Sequence, residues 1–409
     1  MSAPASKIPL GTPPSDPTRP SRLAALAGLA NNPAFRSALV QLLVFAAVVA
    51  GLIWVVSTTA DNLKRAGISS GFGFLGQTAG FEISQTLIEY SRTSTYARVF
   101  WVGLLNTLLV SVISITASTL IGFVVGVLRL SSNWLISSLA AAYIGLIRNI
   151  PLLLQILFWY IAILMPLPGP RQAYSLWETF FLCNRGLILP RPEFHPGTWL
   201  ILLFAVLAIP AVVALTLWAR RRQRLTGQRF PTSAASLGLL VVLPLLGAAL
   251  AGFPLTWVIP ELRGFNFQGG MTLLPELTAL ILALTLYTAG FIAENVRAGI
   301  QSVDRGQEEA AAALGLRPGT IMRLVVIPQA MRVIIPPLTS QHLTLVKNSS
   351  LAVVIGYPDL ISVFAGTTLN QTGQAVEIIA MTMLFYLAVS LLISLFMNWY
   401  NKRMALKER

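Results

Sequence analysis

The sequence predicts an all-α polytopic membrane protein with about eight transmembrane helices. Of its 409 residues, 55% are hydrophobic and only 11% are charged, whereas a soluble domain carries about 25% charged residues. The mean hydropathy of +0.72 is spread over several long apolar runs, and about 20 apolar residues are enough for one helix to cross the hydrocarbon core. These observations exclude a soluble globular fold.

The apolar runs divide the chain into its predicted elements. Residues 1–36 are rich in Pro, Ser and Ala and lack a hydrophobic region near the terminus, so we expect a disordered cytoplasmic tail and not a signal peptide. Residues 165–196 and 252–271 are rich in Pro, Gly, Trp and Arg and are predicted to be external loops. The predicted spans lie at residues 37–56, 99–127, 135–164, 199–218, 234–251, 273–292, 333–355 and 376–396.

The basic residues predict the orientation of these spans. An even number of crossings places both termini on one side of the membrane. Nineteen Lys and Arg residues adjoin that side, including those at 220–229, and eight adjoin the other side. Because cytoplasmic loops carry an excess of Lys and Arg, both termini are predicted to be cytoplasmic. The net charge of +14 is therefore attributed to topology, and no nucleic-acid binding is predicted.

Small residues, prolines and the few metal-binding residue types are interpreted as structural. Gly122 and Gly126 form a G-x-x-x-G step that favours close helix packing, and Pro151 is one of several prolines expected to interrupt a helix. A single cysteine, Cys183, excludes an intramolecular disulfide. His195 and His342 are too far apart in the sequence to suggest a zinc cluster.

A polar segment at residues 302–328 predicts two short helices joined by a tight turn. Asp304 is placed to cap the first helix, with Gln307 at its N3 position. Gly315 suits the position after the helix, where φ is positive, and Pro318 suits the first position of the next helix. Two interpretations remain from helix physics alone: a rigid lever for a cytoplasmic partner, or a loop that covers the bundle.

Several motifs resemble those of known transporters. Glu309-Ala310-Ala311, followed by Gly315 and Pro328, resembles the EAA loop of binding-protein-dependent ABC importer permeases. Further segments resemble the polar amino-acid uptake permeases, in order and with the family's spacing, over about residues 103–166 and 273–403. These segments are 148–155 (RNIPLLLQ), 287–303 (YTAGFIAENVRAGIQSV), 327–332 (IPQAMR), 336–338 (PPL) and 347–351 (KNSSL).

The resemblance implies a type I importer core of five helices, formed by residues 99–165 and 273–403. Residues 37–98 are then an additional N-terminal helix with an external loop, residues 166–272 are an insertion with two helices, and residues 404–409 are a cytoplasmic tail. This long form is similar to permeases of the general L-amino-acid transporters and of the glutamate/glutamine/aspartate/asparagine transporters. The insertion either decorates the bundle or contacts a binding protein.

The resemblance also implies partners. The helix of an EAA loop docks on a nucleotide-binding subunit, and this chain has no G-x-x-x-x-G-K-[ST] loop, so ATP and Mg are expected on a separate, dimeric ATPase and no cofactor on this chain. The expected system also contains a second permease, with which this chain is expected to form a heterodimer. A periplasmic amino-acid-binding protein and an L-amino acid are the other expected partners. The expected location is the lipid of a bacterial inner membrane. The expected coupling residues are Gly306, Gln307, Glu309, Ala310, Ala311, Leu314 and Gly315.

Polar residues within the spans are candidates for the substrate path, because ionisable groups are costly inside a bilayer. Arg148 and Lys347 have no carboxylate at comparable depth on the second, third, seventh or eighth span, and the excess positive charge favours a solute with a carboxylate, best a neutral or acidic amino acid. Alternatively, Arg148 bonds carbonyls freed at Pro151, and Lys347 snorkels. The candidates are Asn106, Arg148, Asn149, Gln155, Lys347, Asn348 and Ser349.

The sequence contains one other ionisable pair at the end of a span, and it disfavours two other functional classes. Glu294 and Arg297 are three residues apart on one helix face and are interpreted as satisfying each other. An ion-coupled secondary amino-acid transporter would need carboxylates within the membrane or repeated broken helices, and these are scarce here. A membrane enzyme would need an acid, base or nucleophile cluster, and the sequence suggests none.

Overall fold

The computed structural model describes residues 33–65, 71–228 and 230–404. The chain divides into two units, residues 1–71 and 72–409. The predicted disordered tail lies outside the described residues except for residues 33–36, which are helical and not part of a tail. Of the predicted C-terminal tail, only Met404 is described, as the last residue of a helix.

The described part of the first unit is a single helix, α1, at Pro33–Arg65. Its segment Arg36–Thr59 is long and apolar enough to span a membrane, in agreement with the predicted span at 37–56. Leu42, Phe45 and Trp54 are all exposed, as expected of a helix whose solvent is hydrocarbon.

The second unit contains the remaining helices. Seven helices of the described chain are long and apolar enough to span a membrane, and a bent pair brings the number to eight, which agrees with the predicted count. The helices are α2 (Tyr96–Leu128), α3 (Trp134–Asn149), α4 (Leu152–Leu164), α5 (Thr198–Thr226), α6 (Thr232–Leu250), α7 (Pro275–Gln301), α8 (Arg305–Ala313), α9 (Pro318–Ile355), α10 (residues 361–372) and α11 (Ala375–Met404).

The predicted third span, residues 135–164, is not one helix. It breaks at Ile150 and Pro151, and the axes of α3 and α4 differ in direction by 105°. Ile150 is extended, with φ −102° and ψ 126°, because a residue before proline is disfavoured in the helical region and the proline ring cannot continue the helix. The sequence predicts an interruption at Pro151 but does not predict its angle.

Two core helices, α2 and α7, pack along much of their length. A Cβ atom added at Gly122 would lie 2.6 Å from Cβ of Ile292, and one at Gly126 would lie 2.7 Å from the carbonyl oxygen of Ala293. These separations are too short for any side chain. The predicted role of the G-x-x-x-G step in close packing is therefore confirmed.

The segment before α2 folds onto the helices and is not a loose external loop. Phe74 is 1% exposed, and its ring centroid lies 6.2 Å from that of Tyr96 and 6.3 Å from that of Phe364 in α10. Thr78 and Thr95 form an isolated β-bridge. The sequence analysis did not recognise this packing because the segment is short and has no helical or strand periodicity.

The two predicted external loops hold seven short strands and the start of an eighth, β8, which ends two residues past the second loop. The loops pair with each other through β3–β8 and β4–β5, and the antiparallel order of the largest sheet is β1-β2-β3-β8, with β6 paired to β7. The strands are β1 (Tyr174–Leu176), β2 (Phe180–Cys183), β3 (Gly186–Leu189), β4 (Arg191–Phe194), β5 (Leu255–Val258), β6 (Glu261–Arg263), β7 (Asn266–Gln268) and β8 (Met271–Leu273). Strands of three or four residues carry too little alternation to be predicted.

The insertion's two helices, α5 and α6, form a hairpin. They approach closely at Gly247, where an added Cβ would lie 2.8 Å from the carbonyl oxygen of Leu200. α5 continues to Thr226, eight residues past the predicted end at 218, so most of the predicted basic loop is helical. Arg229 lies outside the described residues.

Candidate coupling loop and translocation surface

The polar loop between α7 and α9 has the predicted local structure. Asp304 caps α8, and its Oδ1 accepts a 2.8 Å hydrogen bond from the backbone N–H of Gly306. The bond therefore goes to the N2 position and not to Gln307 at N3. Gly315 has φ +76°, and Pro318 opens α9 at its first position. Two helices joined by a tight turn are confirmed.

Ala311 is the residue that holds α8 against α9. It is 5% exposed and packs in a small apolar cluster with Ile321 and Val326. Ala311 is one of the expected coupling residues, but its side chain faces inward and packs within this chain. The other proposed coupling residues are exposed: Gly306, Gln307, Glu309, Ala310, Leu314 and Gly315.

The exposed face of α8 combines charge with one large apolar side chain. Glu308 and Glu309 lie in its first half, and Leu314 at its C-terminal end is 81% exposed. A leucine so exposed on a polar loop is suited to insert into a cleft of another protein, and the carboxylates are suited to basic residues around that cleft.

Asn106 lies in the interior and not on an open surface. It is fully buried, and its Nδ2 donates 2.9 Å hydrogen bonds to the carbonyl oxygens of Gln85 and Pro358. The neighbouring Thr107 accepts a 3.0 Å bond from the backbone N–H of Leu360. Asn106 therefore ties α2 to the segment between α9 and α10, and its placement does not support a direct role in the substrate path.

Asp359 is a buried carboxylate that the sequence analysis missed. It is 1% exposed; its Oδ1 accepts a 2.8 Å bond from the N–H of Ser362, and its Oδ2 has no hydrogen-bond partner within the described residues. Tyr357 and Tyr386 lie close enough to interact with it electrostatically. Burial raises the pKa of Asp359 to about 7. The signal in the sequence is an Asp within the otherwise apolar run Tyr-Pro-Asp-Leu-Ile.

Arg148 lies at the C-terminal end of α3, beside α7. It is exposed, its guanidinium carbon lies 5.1 Å from the ring centroid of Phe291, and it is close enough to Glu294 to interact with that carboxylate. Glu294 is ion-paired with Arg297, which confirms that this pair satisfies itself. Next to Arg148, Asn149 is also exposed and donates to the carbonyl oxygen of Gly145 at 2.8 Å.

Gln155 donates hydrogen bonds to backbone carbonyl groups that lose their helical partners at the break between α3 and α4. Its Nε2 donates to the carbonyl oxygens of Ile147 and Ile150, each at 2.9 Å. This is the role that the alternative interpretation assigned to Arg148, so that alternative is wrong. Gln155 is 5% exposed and is structural, whereas Arg148 and Asn149 remain available to an open surface.

Lys347 lies on an exposed polar face of α9. Ser340, Thr344 and Lys347 are all exposed and are spaced four and three residues apart, so they share one side of the helix. Asn348 is half-buried, and buried Ser349 donates to the carbonyl oxygen of Val346 at 2.8 Å. Ionisable side chains within a membrane span, such as that of Lys347, almost always face the bundle interior or an aqueous cavity. The Ser340–Lys347 face is therefore the candidate translocation surface of this chain.

The opposite side of α9 packs against the core. His342 is 8% exposed, and its Nε2 lies 2.9 Å from Oγ1 of Thr119 in α2. The buried Cys183 lies in β2, far from this helix in the sequence. Among the described residues, no group of three or more His, Cys, Asp or Glu side chains is arranged to hold a metal ion.

Comparisons with known proteins point to one family. Residues 118–406 match the model of the family described as binding-protein-dependent transport system inner membrane component. The chain is 55% identical to protein YhdX of Escherichia coli (strain K12), over 92% of this chain and 96% of that protein. It is 51% identical to the general L-amino acid transport system permease protein AapQ of Rhizobium johnstonii, over 92% of this chain and 94% of that protein.

A third relative has the same extent. The chain is 43% identical to the glutamate/glutamine/aspartate/asparagine transport system permease protein BztB of Rhodobacter capsulatus, over 92% of this chain and 95% of that protein. Because only about a twelfth of this chain is outside these alignments, most of the 166–272 insertion is included in them. The long form is therefore shared with these relatives.

Proposed function

This chain belongs to the family of binding-protein-dependent transport system inner membrane components, and we propose that the solute it imports is an L-amino acid. As a permease it is a membrane subunit and not an enzyme, and the ATPase is a separate subunit. The comparisons give no support to the ion-coupled alternative. The relatives named for general L-amino acids and for glutamate, glutamine, aspartate and asparagine support the choice of substrate class.

The observation that carries the proposal is the presence of two exposed cations on the surface of the core. Lys347 lies on the exposed polar side of α9, and Arg148 is exposed at the end of α3. No salt bridge joins either cation to a carboxylate within the described residues. A solute with a carboxylate compensates such charge, so a neutral or acidic amino acid fits this surface better than a cationic one.

A second permease is needed to complete the path. The Ser340–Lys347 face cannot be left against hydrocarbon, and an opposing subunit would enclose it as one wall of an aqueous channel. We expect that subunit to be a different chain, because the large insertion of this one would be awkward to duplicate if the binding protein contacts only one side.

The EAA loop would couple this path to ATP hydrolysis. α8 is held on α9 through Ala311. α9 is one helical span from Pro318 to Ile355, with a π-helical segment at Met322–Val326 and a 3-10 segment at Ser349–Ile355. A displacement of α8 by an ATPase, which would bind ATP and Mg²⁺, is therefore transmitted along α9 to the candidate translocation surface. Alternating access then follows as a rigid-body change driven by the different nucleotide states of the ATPase.

The proposed location is a bacterial inner membrane with both termini in the cytoplasm. The excess of Lys and Arg on the side of the termini supports this orientation. It places α8 on the side where ATP is available, and it places the β-strands of the insertion on the side where a periplasmic binding protein delivers the amino acid.

Reconstituted transport tests the proposal. Liposomes that contain this chain, the second permease and the ATPase, with ATP and Mg²⁺ on the ATPase side, should accumulate labelled L-glutamate or L-glutamine when the binding protein is added. A labelled sugar is the control solute and should not accumulate. Uptake by this chain alone, driven by a sodium or proton gradient, would contradict the proposal in favour of a secondary transporter.

Omission of the second permease tests the heterodimer. Vesicles with only this chain, the ATPase and the binding protein should show no uptake above the background of empty vesicles. Robust uptake from that reduced set would show instead that this chain works as a homodimer.

A further inference from the structure

The helix α5 carries an ordered cluster of arginines at one end of the α5–α6 hairpin. Arg220, Arg221 and Arg224 are exposed and lie on helical residues, since α5 continues to Thr226. None of the three forms a salt bridge within the described residues. The sequence has no Asp or Glu between Glu193 and Glu261, so the hairpin itself supplies no compensating charge.

These arginines continue an apolar stripe. Positions separated by three or four residues lie on the same helix face, and the exposed apolar residues of α5 that lead to Arg220 and Arg224 follow this spacing. They are Leu202, Val206, Ile209, Val213 and Leu217, each more than half exposed. The buried positions of α5, Ala208 and Ala219, lie on another side of the helix. The stripe therefore faces away from the α5–α6 contact.

The part of the stripe nearest the arginines is about as long as one leaflet of a bilayer is thick. The whole stripe from Leu202 to Leu217 rises about 22 Å and its part from Val206 to Leu217 about 16 Å, and half of the hydrocarbon core is about 15 Å thick. The acyl chain of a lipid that lies along this part of the stripe would therefore place its headgroup next to the arginines. The apolar surface is followed along the helix by positive charge, as the acyl chain of a phospholipid is followed by its headgroup.

An aromatic contact lies beside the arginine cluster. The rings of Trp218 and Phe230 meet edge to face with centroids 5.3 Å apart, and the guanidinium carbon of Arg222 lies 5.5 Å from the Trp218 ring centroid. Tryptophan is enriched at the boundary between hydrocarbon and headgroups. Arg222 is thus engaged, while Arg220, Arg221 and Arg224 are free to meet a ligand from outside.

We propose that Arg220, Arg221 and Arg224 form a binding site for the headgroup of an anionic phospholipid, whose acyl chain lies along the part of the stripe from Val206 to Leu217. Arginine pairs with phosphate oxygens through two parallel N–H donors. Three unpaired guanidinium groups exceed the charge of one phosphate in a zwitterionic lipid, so the site selects a headgroup with net negative charge. Basic clusters at the end of a transmembrane helix attract anionic lipids in this way.

Lipid retention tests the site in the assembled transporter. The detergent-purified complex is incubated with phosphatidylglycerol or with phosphatidylcholine of the same acyl chains, and bound lipids are counted by native mass spectrometry. The complex should retain several-fold more phosphatidylglycerol. The triple variant Arg220→Gln, Arg221→Gln, Arg224→Gln should lose about fivefold or more of that retention and keep its retention of phosphatidylcholine.

Two further variants control for charge and for membrane insertion. Arg185→Gln, Arg191→Gln, Arg263→Gln removes the same charge from exposed residues of the β-strand region and should retain phosphatidylglycerol as the unmodified complex does. Arg220→Lys, Arg221→Lys, Arg224→Lys keeps the charge that sets topology and should keep most of the preference.

Three results would overturn the proposal. The first is unchanged retention of phosphatidylglycerol in the glutamine variant, and the second is an equal loss in the Arg185, Arg191, Arg263 control. The third is loss of a protein subunit from the glutamine variant with its lipid retention intact, because the arginines would then be a protein-docking surface.

Discussion

The side-chain amide of Gln155 donates a 2.9 Å hydrogen bond to the carbonyl oxygen of Ile150, at the break between α3 and α4. A second bond of the same length reaches the carbonyl oxygen of Ile147. A buried carbonyl without a partner is costly, and more so where no water can reach it. One glutamine therefore makes a 105° bend compatible with a membrane interior.

Replacement of Gln155 should destabilise the fold and leave the residues of the candidate translocation surface unchanged. Gln155→Leu removes both bonds at this buried position, at a cost of about 1–3 kcal/mol per carbonyl left unsatisfied. The midpoint of thermal unfolding of the purified complex should fall. Asn149→Ala, which removes one bond at an exposed position, is the matched control and should change it little. Equal midpoints for Gln155→Leu and the unmodified chain would contradict this role.

Neighbouring alanines of α8 should have different effects. Ala310→Arg places a large cation on the exposed face, so it should abolish both co-purification of the ATPase and uptake while the stability of the permease is unchanged. Ala311→Arg forces a charge into the cluster with Ile321 and Val326 and should lower the unfolding midpoint. Co-purification and thermal unfolding measure the two effects separately. Normal uptake by Ala310→Arg would show that this face is not the ATPase contact.

The carboxylate of Glu309 should also be needed for coupling. It is exposed on α8, and its pairing with a basic residue of the ATPase would be reversed in sign by Glu309→Lys. That variant should abolish ATP-dependent uptake while the affinity of the binding protein for its amino acid is unchanged. Glu178→Lys, at an exposed position before β2, makes the same charge change elsewhere and should transport normally.

Substitution of Lys347 should change the uptake of substrate and leave the coupling to ATP hydrolysis unchanged. Lys347→Met removes the charge from the exposed face of α9, so uptake of L-glutamate should fall by about tenfold or more, which corresponds to about 1.4 kcal/mol. ATP hydrolysis by the assembled complex should remain coupled to the binding protein. Lys347→Arg keeps the charge and should retain most of the uptake. Unchanged glutamate uptake by Lys347→Met would remove this residue from the path.

Asp359 should make stability depend on pH. Its pKa is raised to about 7 in the folded chain, so the folded state holds a proton that the unfolded state releases at lower pH. The stabilisation that this proton gives is present at acidic pH and is lost as pH rises toward 7, with a limiting slope of about 1.4 kcal/mol per pH unit. The unfolding midpoint should therefore fall between pH 5 and 7.

Asp359→Asn is the variant that isolates this effect, because asparagine fills nearly the same space and does not titrate. The fall of the midpoint with pH should be smaller in this variant than in the unmodified chain. Glu178→Gln, which removes an exposed carboxylate, should leave the fall unchanged. The same pH dependence in Asp359→Asn as in the unmodified chain would count against a titrating Asp359.

Much of the fold could be predicted from the sequence because its signals are local. The apolar lengths predict the spans, and the residue types at Asp304, Gly315 and Pro318 predict two helices with a turn, since capping and positive φ depend on a few adjacent residues. The family motifs likewise lie in continuous segments. The short strands of the insertion were missed because each is stabilised by pairing with a distant partner, as Leu187 pairs with Leu273.

The candidate site was predicted less well, because residue type does not give the direction of a side chain. Asn106 and Lys347 are both polar residues in predicted spans, yet one is enclosed between α2 and the Pro358 segment and the other is exposed. Ala310 and Ala311 are identical and adjacent, and only the packing of α8 on α9 distinguishes them.

The sequence by itself determined that this chain is a multi-span permease with an EAA loop, since hydropathy, capping and motif spacing are properties of continuous segments. Only the tertiary structure decided that the third span bends sharply, that Asp359 is buried and that the polar face of α9 is open. These features depend on contacts between residues far apart in the chain. Burial in particular is a property of how the helices pack, because it is the neighbouring helices that exclude solvent from a side chain or leave it exposed.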